Sequence, residues 1–260
     1  MQHYFEGKKV LITGASSGIG KALAIALSAF NTELVLASRN TNALEQVAEQ
    51  CHSKAQVTIA ELDLSARAHH QAFVHKFEGF DLVFHNAGIS QRSLVAETIF
   101  DVDHKLMEVN YLGTVHLTKL LLPSMLQKGR GHFIVVTSLT GLIPTPYRSS
   151  YAASKHALHG FFDSMRAELE SQGILITLAA PGFVQTNVSV NALIGDGSAL
   201  GKMDDAQANG ITAEHCARQI LKATAKKKRL QLIGRESYAV WVRRFFPSLF
   251  ARLIKKAKVR

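Results

Sequence analysis

KKVLITGASSGIGKALAIALSAF, residues 8–30, is the stretch on which the fold turns. Its opening KKVLITG is a short apolar run ending in glycine, as a buried strand would be, and IGKALAIALSAF has the small and apolar residues of a helix packed closely on a sheet. Between them sits Thr13-Gly14-Ala15-Ser16-Ser17-Gly18-Ile19-Gly20. Small residues at a strand-to-helix junction let backbone N–H groups and the positive end of the helix approach a pyrophosphate. The glycine spacing is G-x-x-x-G-x-G, so the G-x-G-x-x-G fingerprint is not met literally. A glycine turn that merely closes a strand-helix loop would have the same composition; its place directly after the first strand favours the nucleotide reading.

The same alternation runs outward from this stretch. ELVLASR reads as a strand and NALEQVAEQ as a helix; QVTIAELD, SARAHHQAFVHKF and FDLVFHNAG continue as strand, helix and strand. A long helical stretch spans about residues 99–128, followed by the strand GHFIVVTS, a helix after Tyr151, and the strand ILITLAAPG. A helix over about residues 212–225 and the short strand RLQLIG complete the series. The pattern predicts an α/β fold, a doubly wound parallel sheet with helices on both faces, and runs such as FIVVT suit strands buried from both sides. Residues 183–210 break the rhythm. A Gly-, Asn-, Ser- and Asp-rich loop of that length inside a compact domain is usually functional or mobile.

Composition narrows the class. The chain has 260 residues, 47% of them hydrophobic and 19% charged, which excludes a disordered chain and fits one large α/β unit. Cys51 and Cys216 offer neither a disulfide framework nor metal-ligand spacing, so a reducing compartment, the cytoplasm, is expected. The N-terminus lacks the apolar core of a signal peptide, and no run approaches the ~18 apolar residues of a spanning helix. The net charge of +10 is concentrated after residue 225, so it characterises a tail more than a domain.

SLTGLIPTPYRSSYAASK, residues 138–155, carries the chemistry. If Tyr151 opens a helix, Tyr151 and Lys155 are i and i+4 and lie on one face. A phenol titrating near ~10 is a poor base at neutral pH unless a cation favours the phenolate, and Lys155 is placed to supply that charge. Taken alone, such a pair also arises by chance on a core helix.

The ordered set of motifs resembles the short-chain dehydrogenase/reductase family over nearly the whole chain up to about residue 235. The set comprises Thr13 to Gly20, Asp63 after the third strand, Asn86-Ala87-Gly88 after the fourth, Asn110 in the long helix, Ser138, Tyr151, Lys155, and Pro181-Gly182 with Thr186. One departure is His85, where the family more often has asparagine; it reads as a strand-end packing or hydrogen-bonding residue. The resemblance implies a single Rossmann-like domain over residues 1–237, with a basic amphipathic extension over 238–260. It also implies a catalytic tetrad of Asn110, Ser138, Tyr151 and Lys155: Tyr151 exchanges the proton, Ser138 holds the carbonyl oxygen, Lys155 tunes the phenol and binds the nicotinamide ribose, and Asn110 helps to hold a water. By the same resemblance, the cofactor is held by Gly14, Ser16, Ser17, Gly18, Ile19, Gly20, Ser38, Arg39, Asp63, Leu64, Asn86, Ala87, Gly88, Tyr151, Lys155, Pro181, Gly182, Val184 and Thr186.

Cofactor choice rests on the end of the second strand. An acidic residue there would accept a ribose 2′-hydroxyl, whereas this chain has Ala37-Ser38-Arg39, and a hydroxyl with a guanidinium suits the 2′-phosphate of NADP(H). The expected reaction interconverts a carbonyl and a secondary alcohol. Leu139, Leu142, Ile143, Phe183 and Val184 suggest a hydrophobic substrate such as a steroid, retinoid or lipid-derived carbonyl. A carrier-bound 3-oxoacyl group is the alternative substrate, and a non-catalytic NADP(H)-binding sensor or scaffold the alternative function. His69, His70 and His75 read as surface or packing residues, His156 and His159 as lying on the helix face turned from the catalytic pair, and no metal is implied.

The resemblance further implies a homodimer or homotetramer built on the long helix and the helix after Tyr151. Beyond the family motifs, WVRRFFPSLFARLIKKAKVR can form a helix behind Pro247. Leu249, Phe250, Leu253 and Ile254 then gather on one side, with Arg252, Lys255, Lys256 and Lys258 around the other. Such a segment suits an anionic membrane surface. Alternatively, Trp241, Phe245, Phe246 and Phe250 pack on the protein itself. Nucleic acid is disfavoured, since the apolar residues would stand exposed in a groove.

Overall fold

A computed structural model of the chain describes residues 2–255. In chain order the elements are α1 (Gln2–Phe5), β1 (Lys8–Thr13), α2 (Gly18–Leu27), β2 (Thr32–Ser38), α3 (Thr41–Ala48), β3 (Gln56–Glu61), α4 (His70–Lys76) and β4 (Leu82–His85). Then come α5 (Phe100–Met107), a π-helical segment (Glu108–Leu112), α6 (Gly113–Gln127), β5 (Gly131–Val136), α7 (Ser149–Leu169) and β6 (Ile174–Pro181). The last part holds β7 (Val184–Gln185), α8 (Asp205–Ala208), β8 (Ile211–Thr212), α9 (Ala213–Ala225), β9 (Leu230–Ile233), α10 (Tyr238–Phe245) and α11 (Pro247–Ile254).

Seven strands form one parallel sheet in the order β3-β2-β1-β4-β5-β6-β9. Alternation along each strand explains why the sequence shows continuous apolar runs. Val10 and Ile12 of β1, Leu34 and Leu36 of β2, and Ile134 and Val136 of β5 enter one core with Leu23, Leu27, Cys216 and Ile220. Leu11, Val35, Phe133 and Val135 enter the other, with Leu117, Leu121, Leu158 and Phe162. The inner strands thus bury both faces, and a polar residue on either would need a partner, whereas the edge strands β3 and β9 are partly exposed.

The order reverses at β1, whose two neighbours are β2 and β4. Crossovers on either side of this point lead to opposite ends of the sheet, so a crevice opens beyond the carboxyl ends of β1 and β4. Apart from Asn110, which lies within the long helical stretch, the motifs singled out in the sequence end there, because each follows a strand or opens the helix beyond it.

Two segments differ from their sequence reading. Residues 183–210 form no long element, yet they are tied to the body. β7 pairs with β8, Leu193 exchanges backbone hydrogen bonds with Ser90 and Arg92, and Asp204 is buried. The second concerns α7. His156 and His159 do not face away from the catalytic pair as one set: the His156 Nδ1 lies 2.5 Å from the Gly141 carbonyl oxygen, in the turn after Ser138, and His159, one turn beyond Lys155, is buried. His156 is exposed and reaches that turn from the surface, whereas His159 is covered by packing that the helical period alone does not show.

The C-terminal helices also share the body's packing. Phe250 is buried with Leu139, Ile143 and Ala180, and Leu142, Ala239, Val240, Val242 and Ile254 surround them. Arg243 donates to the Leu142 carbonyl. Trp241, Phe245 and Phe246 do not join that cluster and stay 56–63% exposed. Lys256 and Lys258, which belong to the basic face read from the sequence, lie outside the described residues.

Among the described residues four histidines are buried; His70 meets His116 and the Asp63 carbonyl, and the other three are held as neutral rings. His85 stacks on Phe133 and bonds Thr118 Oγ1 at 2.9 Å; His132 is held between Tyr4 and Thr177; His159 lies in α7. Burial pushes their pKa values down, to about 3 for His85 and His132 and about 4 for His159. In the unfolded chain they titrate near ~6.5, so below that pH unfolding takes up protons. The stability they confer is therefore complete above pH ~6.5 and is lost as pH falls toward their folded values, by up to about 1.36 kcal/mol per pH unit from each. Urea midpoints should decline steeply from pH 6.5 to 4.5, and His85→Leu should make that decline shallower; an equal slope in the variant would remove His85 from the account.

Candidate active site

The crevice is a cleft of about 1250 Å³. Its floor at one end is the turn after β1. Gly14 has φ +65°, and a Cβ there would stand 2.8 Å from the Ala87 Cα. At Gly20 a Cβ would lie 2.2 Å from the Gly14 carbonyl oxygen. Neither position admits a side chain without moving backbone. The Asn86 side chain donates to the carbonyls of Thr13 and Gly14 at 3.0 and 3.1 Å, and Thr13 Oγ1 accepts from the backbone N–H groups of Asn86 and Ala87, both at 3.1 Å. Asn86-Ala87-Gly88 thus fixes the turn from behind. Ser17 caps α2 without a side-chain hydrogen bond, so the first N–H groups of that helix remain for another acceptor.

Beside this turn stand Ser38 and Arg39. Ser38 is buried and hydrogen-bonded to its neighbour Asn40, while Arg39 is exposed. Asp63 lines the same end; burial pushes its carboxyl up, but two hydrogen bonds from Ser65 and the charges of Arg39 and His70 bring it below its ordinary value. The turn, Asp63 and Leu64, the strand end at Asn86-Ala87-Gly88, Pro181-Gly182, Val184 and Thr186 all line the cleft except Ala15, which is buried in the core, and Gly20, which packs beneath it. The cradle fits an extended dinucleotide: glycines where backbone must approach closely, and a helix N-terminus.

At the other end Ser138, Tyr151 and Lys155 come together. Ser138 ends the stretch after β5 and caps a short turn, its Oγ accepting from Thr140 N at 3.2 Å and donating weakly to the Pro181 carbonyl at 3.4 Å. Tyr151 lies in the first turn of α7. Burial raises its phenol pKa; the hydrogen bond with Ser138 and the charges of Arg92 and Arg148 oppose that rise. Lys155 is 5.9 Å from the Tyr151 ring centroid, donates to the Val136 carbonyl at 3.0 Å, and is pushed down to about 8 by burial.

Asn110 does not reach the cleft. Buried in the π-helical segment, it accepts from Ile89 N at 2.8 Å and donates to the Ile89 carbonyl at 2.9 Å and to Ser154 Oγ at 3.0 Å. It therefore joins the loop after β4 to α7, and the single wide turn of helix that lets it do so is of a kind found often at functional sites. Of the apolar residues read as substrate lining, Leu139, Ile143, Phe183 and Val184 face the cleft; Leu142 instead packs under the C-terminal helices.

Several residues that the sequence reading passed over also shape this end. Fully buried Gln91 accepts from Ser150 N at 2.9 Å and from Tyr151 N at 3.4 Å, so it caps α7 from another segment where Arg148 does not. Arg92 and Arg148, 2% and 3% exposed, converge on Asp204 at 2.5 and 3.4 Å. In the sequence Gln91-Arg92 sits in a polar loop and Asp204 lies 112 positions away, so only tertiary contact joins them. Buried arginine is uncommon enough that its presence in a cleft is a signal, but no sequence pattern marks it as buried.

A family model described as short chain dehydrogenase matches residues 8–194. The chain belongs to the short-chain dehydrogenase/reductase family, whose members are oxidoreductases that bind a nicotinamide cofactor. Among curated relatives it is 40% identical to a mouse protein named dehydrogenase/reductase SDR family member 7B, over 96% of this chain and 81% of the relative, and 38% identical to a Drosophila melanogaster protein named dehydrogenase/reductase SDR family protein 7-like, over 98% and 81%. Among solved structures, a Burkholderia phymatum short-chain dehydrogenase/reductase in complex with NAD superposes with a TM-score of 0.82 at 25% identity, over 94% of this chain and 95% of that one. An alcohol dehydrogenase from Thermococcus sibiricus complexed with 5-hydroxy-NADP gives 0.73 at 26%, over 87% and 96%.

Proposed function

We propose that this chain uses NADP(H) to interconvert a carbonyl and a secondary alcohol, with Ser138, Tyr151 and Lys155 as its reacting groups. The observation that supports this best is their convergence: the Tyr151 phenol and the Ser138 hydroxyl line one end of a cleft, one helical turn from a buried amine, and the other end of that cleft is a glycine-rich turn at a helix N-terminus. The bound cofactor supplies or accepts the hydride. Reduction leaves negative charge on the carbonyl oxygen, and Tyr151 gives it a proton while Ser138 donates a hydrogen bond, turning from its weak bond to Pro181. In oxidation the phenolate is the base. Lys155, whose amine is only weakly held as a cation, binds the ribose and returns the proton to Tyr151; Asn110 keeps the loop after β4 and α7 in register for this.

The substrate is hydrophobic along one wall, where Leu139, Ile143, Ala239 and Ile254 line the cleft. NADP(H) is favoured by Ser38 and Arg39 at the end of β2, with no acid there to accept a 2′-hydroxyl. The protein would assemble as a homodimer or homotetramer through α6 and α7. Its C-terminal helices would rest on an anionic membrane surface: Tyr238, Trp241, Phe245, Phe246, Leu249 and Leu253 are exposed, with Arg243, Arg244 and Arg252 among them. Among the described residues no helix is long and apolar enough to cross a membrane.

The decisive experiment is NADPH consumption across a panel of ketones, aldehydes and 3-oxoacyl thioesters. Tyr151→Phe should lower kcat by about 10²-fold or more while NADPH still binds; turnover that survives the substitution would sink the assignment. Arg39→Ala should weaken NADPH binding by roughly 1.5–3 kcal/mol, the worth of a charge-assisted contact, and NADH binding little. Equal weakening of both would remove the cofactor assignment. Full-length protein should co-sediment with phosphatidylserine-containing vesicles and a chain ending at Ser237 should not; if both bind alike, the tail has no membrane role.

A further inference from the structure

The hydroxyl that acts on the carbonyl is itself held by a second hydroxyl. Thr140 lines the same cleft, and its Oγ1 donates to Ser138 Oγ at 2.9 Å. The Thr140 backbone N–H donates to the same oxygen at 3.2 Å. A third contact fixes the direction of the first. Ser138 Oγ lies 3.4 Å from the Pro181 carbonyl, which can only accept, so the serine hydrogen points there and the threonine hydrogen points to the serine. A hydroxyl has one hydrogen and two acceptor positions. Both acceptor positions of Ser138 are thus filled by one residue, and its hydrogen rests in a bond long enough to be exchanged for a better acceptor.

The backbone bond caps the short turn at Leu139–Gly141, whereas the side-chain bond joins two hydroxyls and caps nothing. Its effect falls on Tyr151. A serine hydroxyl with an open acceptor position can take the phenol O–H, which stabilises the neutral phenol and draws its proton away from the substrate. With that position filled, Ser138 can only donate, and a donor stabilises the phenolate. Burial raises the Tyr151 phenol pKa and Ser138 lowers it, the sense expected of a donor.

We propose that Thr140 is a positioning residue that fills the acceptor side of Ser138 and so keeps that hydroxyl a donor, toward the carbonyl oxygen and the Tyr151 oxygen. The proposal rests on the carbonyl oxidoreductase reading and adds to it the residue that sets which way the serine hydrogen points. Thr140 acts here through Ser138 and not by touching the substrate. Valine in its place keeps the branched shape and the backbone N–H but loses the hydroxyl, and serine keeps the hydroxyl without the methyl.

Thr140→Val and Thr140→Ser test this in the full chain. For the carbonyl compound that gives the fastest Tyr151-dependent turnover with NADPH, Thr140→Val should lower kcat by about tenfold with KM within about twofold, and Thr140→Ser should regain most of the loss. In oxidation of the corresponding alcohol with NADP⁺, the pH of half-maximal kcat should rise by about half to one unit in Thr140→Val, one unit being a tenfold bias between the two phenol states. Tyr151 also faces Lys155 of α7 and the guanidinium groups of Arg92 and Arg148, which Asp204 joins; all four are common to the variants and cancel from the comparison. Nuclear magnetic resonance titration of the Tyr151 signal in ring-labelled protein, assigned by its loss in Tyr151→Phe, reads the same shift without turnover. An unchanged Tyr151 titration in Thr140→Val overturns the proposal. So does a rise in KM with kcat unchanged, the mark of a substrate contact. Equal slowing of Thr140→Val and Thr140→Ser at every pH, with a lowered thermal midpoint, marks a brace of the turn and overturns it too. If no carbonyl compound shows Tyr151-dependent turnover but the titration still shifts, the oxidoreductase reading fails and the positioning role stands.

Discussion

The contact on which the rest depends is the meeting of the turn after β1 with the end of β4. Thr13 Oγ1 receives two backbone N–H groups from β4's end, and Asn86 returns two hydrogen bonds to the carbonyls of Thr13 and Gly14. These four bonds close the sheet's reversal point and hold the turn open to a ligand on its other side. Glycine at 14 and 20 is the steric condition for that closeness, since a single methylene at either would collide with backbone. Where backbone replaces side chains, N–H groups and the helix end become the binding surface.

From that point the loop after β4 runs past Gly88 and carries the organisation of the site into α7. Asn110 holds Ile89 and Ser154 together, and Gln91 caps the first turn of α7. Tyr151 and Lys155 thereby keep a fixed place relative to Ser138 although they come from a different element. The apolar surroundings that fix them also set their chemistry. Burial alone would keep Tyr151 neutral, and it brings the Lys155 amine down to about 8, where it is still mostly a cation at neutral pH; the buried arginines oppose the first effect. A site with charge held in low-dielectric surroundings responds strongly to each added charge, which is why Arg92 and Arg148 bear on the phenol.

The C-terminal helices show how a tail becomes part of a site. One side of α11 contributes Phe250 to the packing over Leu139 and Ile143, and Ile254 reaches the cleft. The opposite sides of α10 and α11 remain apolar and exposed. The sequence reading offered membrane attachment and packing on the body as alternatives; in the structure Phe250 packs inward, while Trp241, Phe245 and Phe246 stay exposed.

The sequence by itself determined the alternation of strands and helices, and with it the parallel sheet, because strands buried on both faces must be apolar throughout and the helices between them must not be. It also determined the turn after β1 and the Tyr151–Lys155 spacing, since both are local: one needs glycine where backbone approaches backbone, the other needs only 3.6 residues per turn. What lies between distant segments was decided by tertiary structure. Asp204 meets Arg92 across 112 positions, Gln91 caps a helix 58 to 60 residues away, and His159 is buried by the packing of α7 rather than by anything in its neighbours. Polar residues in a loop look alike in sequence whether solvent or a buried carboxylate awaits them; only the fold brings the partner that makes their burial affordable.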